Sequence, residues 1–104
     1  MADIEFVYAH NTELEEAKAG IKELVDDFLK SKGSLVKKAD WNGDGTRCDF
    51  EGKGFSGFFE VDQRQVRLEL SLGFLLKGLK GRIRSDLESK IKARFPNGEV
   101  ISNT

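Results

Sequence analysis

Residues 40–51 read "DWNGDGTRCDFE". Asp40, Asn42 and Asp44 stand at positions one, three and five of a calcium-loop pattern, with Gly45 at six and Glu51 at twelve. Between two helices this would be an EF-hand; between two strands the same letters make a β-hairpin. The flanks decide. Upstream, SLVKKADW alternates apolar and polar residues as a strand does. Downstream, Gly52, Gly54 and Gly57 weaken any helix. The loop's central position, normally aliphatic in an EF-hand, is Arg47. Asn42-Gly43 and Asp44-Gly45 are strong hairpin dipeptides, because the turn residues need positive φ. The stretch is read as a turn, and the middle of the chain as strands.

The same period of two extends outward from this turn. Leu35, Ala39 and Trp41 precede it, and Cys48 and Phe50 follow. Phe55, Phe59 and Val61 continue the pattern. Val66, Leu68, Leu70 and Leu72 give the clearest set, with Arg67, Glu69 and Ser71 on the opposite side. Four strands joined by Gly-, Asn- and Asp-rich turns predict an antiparallel meander with one buried face. Near the start, Ile4, Phe6 and Tyr8 mark another half-buried strand over residues 3–9.

Helical periods bracket the strands. Leu14, Ala17, Ile21, Leu24, Val25 and Phe28 recur at three- and four-residue steps, predicting an amphipathic helix over 12–31. Asn11 or Thr12 is its expected N-cap, and Gly33 its expected stop. Leu79, Ile83, Leu87, Ile91 and Phe95 predict a second helix from about residue 79, ended by Pro96. The expected fold is α+β: a single antiparallel sheet of about five strands, two helices packed on one face, in the order β-α-β-β-β-β-α. Residues 1–96 form one domain in this reading, and residues 97–104 a flexible C-terminal tail.

The bulk numbers suit one soluble domain of 104 residues, 38% hydrophobic and 34% charged. No apolar run approaches the roughly 18 residues needed to cross a bilayer, so no transmembrane segment is expected. MADIEFVYAH lacks the basic start and apolar stretch of a signal peptide. Cys48, the single cysteine, has no partner for an internal disulfide, and a cytoplasmic location is expected. Net charge is only −1, yet unevenly spread. Asp3, Glu5, Glu13, Glu15, Glu16, Glu23, Asp26 and Asp27 outweigh Lys18 and Lys22 in residues 1–28. Lys77, Lys80, Arg82, Arg84, Lys90, Lys92 and Arg94 outweigh Asp86 and Glu88 in residues 74–95. Either the two helices lie side by side, or the basic end faces an anionic partner.

Catalytic chemistry finds little footing. "GKGFSG", residues 52–57, has dinucleotide-binding spacing but leads into the strand FFEVD rather than a helix. It reads as a tight hairpin in which Gly57 allows close backbone approach or a bulge. His10 is the one histidine, at a strand-to-helix junction, and is read as surface polar. Cys48 alternates as a buried strand position, where a thiol is a small inert hydrophobe. One histidine and one cysteine do not make a usual zinc site. No catalytic residue, metal ligand or cofactor site is assigned, no nucleic-acid partner is expected, and the chain is read as a non-enzyme.

The informative segment is "LGFLLKGLKGRIRSDLESKI", residues 72–91. Phe74, Leu75 and Leu76 are three consecutive apolar residues where a polar turn would be expected, so they cannot all face inward. Lys77, Lys80, Arg82 and Arg84 interleave with them and with Leu79. One reading makes Leu76 and Leu79 the start of the helix's core stripe. The other makes an apolar tip ringed by cations, suited to an amphipathic or anionic boundary.

"GFSGFFEVD" followed by "VRLELSLGFLLKGLKGRIRSDLESKI" resembles the small polyhydroxyalkanoic acid system proteins, a bacterial family tied to storage-polyester granules. The resemblance runs from about Ile4 to Phe95 and is most specific over residues 72–83, with support from Trp41 and from Gly54 and Gly57. It implies association with polyhydroxyalkanoate granules, or with granule proteins, and no established reaction, cofactor or catalytic residue. Phe74, Leu75, Leu76, Lys77, Leu79, Lys80, Arg82 and Arg84 are then the surface-association candidates. An alternative is a small START-like carrier holding an apolar ligand between sheet and C-terminal helix, in a pocket of Phe55, Phe59, Leu68, Leu70 and Leu87. Eight Phe residues argue for a core filled by its own side chains. A third option is a homodimer through an edge strand or through Phe58, which faces outward.

Overall fold

The stretch 40–51 closes a hairpin. β2 (Val36–Trp41) and β3 (Arg47–Gly52) pair antiparallel, with Asp40 opposite Asp49 and Trp41 opposite Cys48. Asn42 organises the turn: its Oδ1 accepts from the amides of Thr46 at 2.9 Å and Arg47 at 3.1 Å. Gly45 takes φ of 70° there, in the left-handed region. The computed structural model describes residues 2–103.

β4 (Phe55–Val61) and β5 (Gln65–Leu72) complete the meander, and β1 (Ile4–Ala9) pairs with the far side of β5. α1 (Leu14–Lys32) and α2 (Lys80–Arg94) cover one face. The alternation works as read: Ile4, Phe6, Tyr8, Cys48, Phe59, Val66, Leu68, Leu70 and Leu72 are all buried. Ala17, Ile21 and Val25 of α1 and Ile91 and Phe95 at the end of α2 meet them. Gly57 sits where any Cβ would strike the carbonyl oxygen of Glu69, so β4 and β5 need glycine at that pairing. The glycine pattern at 52–57 therefore serves strand packing, and it opens β4 rather than a helix.

The sheet has six strands, in the order β2-β3-β4-β5-β1-β6. The sixth lies where a loose tail was expected: β6 (Glu99–Asn103) pairs antiparallel with β1, and Thr104 lies outside the described residues. The return is set by α2's end, where the Gly98 amide donates to the Phe95 carbonyl at 3.0 Å and turns the chain back along β1. A register shift between Val7 and Tyr8 interrupts the pairing, which erases the alternation that marks the other strands.

Smaller differences cluster at helix ends. Neither Asn11 nor Thr12 caps α1; Glu13 holds the N-cap position without a side-chain bond. Asn11 lies at φ 51° and its side-chain amide donates to the Asn97 carbonyl, while the Thr12 backbone amide donates to His10 Nδ1. Gly33 does not stop the chain in a left-handed turn; it stays right-handed and starts a short 3-10 turn over Gly33–Leu35. Leu35 thereby leaves β2. His10 is buried rather than a surface residue. Its Nε2 reaches the Asp62 carbonyl at 2.8 Å, so with Nδ1 accepting from Thr12 the ring closes the β1 end against the β4–β5 turn.

Candidate functional site

The segment after β5 is held at its root by backbone. Asp3 Oδ2 accepts the Leu72 amide at 2.7 Å, and the Gly73 amide donates to the Gly54 carbonyl at 2.6 Å. Gly54 has φ of 85°, a conformation glycine adopts freely, and it lets the β3–β4 turn meet this segment. The amides of Leu76 and Lys77 then return to the Gly73 carbonyl at 3.0 and 3.2 Å, closing a tight turn. The apex is Phe74 and Leu75, which are 91% and 86% exposed. Leu76 points the other way, against Ile4, Leu70 and Leu72. The triplet is thus split two out and one in.

Cations stand at the base of this tip. Lys77 Nζ lies 3.8 Å from Asp3 Oδ1, and the Leu72 amide, aided by Lys77 and Lys80, holds the Asp3 carboxyl below its ordinary value. Lys80 is half-buried at the start of α2 and Arg82, the third residue of that helix, is exposed. Arg84 is different: it is half-buried, and its Nε is buried with no hydrogen-bond partner among the described residues.

Beside the tip the two helices cover the sheet less completely. At one end they are clamped, since Arg94 reaches Glu16 at 2.9 Å and also bonds Glu23. This contact makes the acidic first helix and basic second helix neighbours. From there burial fades along α2: Ile91 is buried, Leu87 and Ile83 half-buried, and Leu79, just before the helix, 48% exposed. The same happens along α1, from Ile21 to the half-buried Phe28, and on to Leu35 in the turn that follows, 43% exposed. Where the burial of both helices fades in this way, the space over a continuous apolar sheet is left partly unfilled.

The gap is an apolar cavity of about 270 Å³. All five residues expected to line a pocket, Phe55, Phe59, Leu68, Leu70 and Leu87, line it. Phe50 and Leu72 add to the sheet side, Leu24 and Phe28 to the α1 side. Sequence reasoning missed Lys90, the one charged residue in the lining, and Phe28 and Phe50, whose periodic placement marked them only as core. The aromatic residues do not fill the space. Phe28, Phe50, Phe55 and Phe59 group together with ring centroids 5.9–6.3 Å apart, leaving the region under α2 open. Leu76 and Leu79 belong both to the cavity lining and to the segment that carries the tip.

Elsewhere, Cys48 and Phe58 are both covered. Burial, and then the charges of Asp49 and Asp40, push the Cys48 thiol from 9.0 up to about 11. Phe58, on the outer sheet face, is covered by the Arg47 guanidinium 3.9 Å from its ring centre. Arg47 in turn pairs with Asp49 and Glu60. Among the described residues no group of three or more His, Cys, Asp and Glu side chains is placed to hold a metal ion, and no helix is long and apolar enough to cross a membrane.

Fold and site together define a small α+β protein that keeps apolar surface in two adjoining places, an outward tip and an inward cavity. The sequence pattern of the polyhydroxyalkanoic acid system proteins matches residues 4–95, and the chain belongs to that family. The matched span holds the tip and every residue lining the cavity, and ends before β6. No curated protein and no solved structure matches the chain.

Proposed function

We propose that this member of the polyhydroxyalkanoate system is a non-enzymatic cytoplasmic protein that docks on the boundary of storage-polyester granules through the Phe74–Leu75 tip. The observation that carries this reading is the near-complete exposure of two large apolar residues on a turn pinned by backbone bonds. Burying both side chains releases about 3–6 kcal/mol, a partition ratio of roughly 10²–10⁴. Lys77, Lys80 and Arg82 add about 1 kcal/mol each where the boundary carries anionic groups. The test is co-sedimentation with polyester particles of the wild type and of Phe74→Ser/Leu75→Ser. The double variant should lose at least tenfold in partitioning. Equal partitioning by both overturns the proposal.

The cavity supports a second role, as carrier of an apolar ligand between sheet and α2. An interior gap of this size in so small a core forgoes dispersion contacts that a packed interior would have, and a ligand restores them.

A further inference from the structure

We propose that the cavity takes one medium-chain alkanoic acid per chain, with its carboxylate at Lys90 and its tail along Leu87 and Ile83. This rests on the carrier role and names its ligand. Size sets the chain length. An apolar cavity of about 150 Å³ holds one benzene, or about 25 Å³ for each heavy atom. By that measure 270 Å³ holds about 11 heavy atoms, the size of a medium-chain acid of about eight carbons or a few more with its carboxylate at the rim.

Shape and chemistry agree with that size. Lys90 and Ile83 are about two helical turns apart on α2, about 10 Å, the extended length of an eight-carbon chain. Every lining residue other than Lys90 is Leu, Ile or Phe, so the interior offers no partner to a polar group on the tail. Lys90 both lines the cavity and is exposed, the placement in which a lysine lays its aliphatic stem on an apolar wall and keeps its ammonium in water. No carboxylate among the described residues forms an ion pair with it, although Lys92 and Lys22 on the same helix pair are both engaged. An anionic headgroup there gains a counter-charge without displacing one. A hydroxyl close to the carboxylate stays at this wet rim, whereas one at the far end of the tail is buried unpaired. Acids hydroxylated near the carboxylate are therefore accepted, and ω-hydroxylated ones rejected.

Calorimetric titration of the full chain with octanoate, octanol, 3-hydroxyoctanoate and 8-hydroxyoctanoate tests this, with methyl chemical shifts reporting the location. Octanoate and 3-hydroxyoctanoate should bind once per chain and shift the methyls of Leu68, Leu70, Ile83 and Leu87. 8-Hydroxyoctanoate should bind at least tenfold more weakly. Lys90→Gln should weaken octanoate about three- to fivefold and leave octanol unchanged. Leu87→Trp should occupy the cavity and abolish binding of all four; the Lys90→Gln comparison and the methyl shifts stand without it if that variant does not fold. Equal binding of octanoate and octanol, unaffected by Lys90→Gln, overturns the acid assignment and leaves the carrier role standing. No binding by any of the four overturns both, and leaves the granule reading to its own test.

Discussion

The hydroxyl of Tyr8 donates to the carbonyl of Phe95 at 2.6 Å, joining residues 87 positions apart. The same carbonyl accepts the Gly98 amide, so one oxygen holds the end of α2, the core face of β1 and the turn into β6. This is the fixed end from which α2 departs over the sheet.

Tyr8→Phe removes one of the two donors and leaves the other. The expected cost is about 1 kcal/mol, the net worth of one buried hydrogen bond. Urea unfolding should show a lower midpoint at an unchanged slope, because the surface exposed on unfolding is the same.

Two glycines of one sequence should answer the same substitution in opposite ways. At Gly57 a methyl group meets the Glu69 backbone and forces β4 from β5, so Gly57→Ala should cost about 2 kcal/mol or more. At Gly78 a Cβ meets nothing within 4 Å and φ is not in the left-handed region, so Gly78→Ala should stabilise by about 0.5–1 kcal/mol. Thermal unfolding of the pair separates these outcomes.

Cys48 should be silent to thiol reagents in the native state at pH 8 and react once urea unfolds the chain. Its raised thiol also sets a sign. The unfolded chain sheds this proton near 9.0 and the folded chain near 11, so between them the native state binds more protons. Stability contributed by the neutral thiol is whole below pH 9 and declines as pH rises toward 11. Cys48→Ala should flatten that part of the stability profile.

Calcium at millimolar level, the weak end for loops of this spacing, should leave the amide shifts of residues 40–51 unmoved. Asp40 and Glu51 lie on different strands, and Asn42 spends its side-chain oxygen on two backbone amides of the turn.

That hairpin shows why much of the fold was legible. Val66, Leu68, Leu70 and Leu72 obey a local period, and a local period survives in the letters. β6 was not legible, because Val100 and Ile101 are adjacent and the strand exists only through its shifted pairing with β1. His10 was misread for a related reason: its burial depends on the Asp62 carbonyl, 52 positions away. The candidate tip was half legible. Three apolar residues in a row require that something face out, but which two do so is decided by the Gly73–Gly54 bond. The cavity residues carried the right period, whereas the empty space depends on the angle between two helices, which no single segment encodes.

The uneven burial along α2 makes that helix a lever. Its 15 residues give an arm of about 22 Å, with the pivot at Arg94 and Phe95 and the other end joined through the Lys77–Leu79 turn to the segment that carries Phe74. A tilt of about 5° about the pivot moves that end by about 2 Å, while Ile91 hardly shifts. A force applied at the tip therefore acts at the greatest mechanical advantage on the width of the space below.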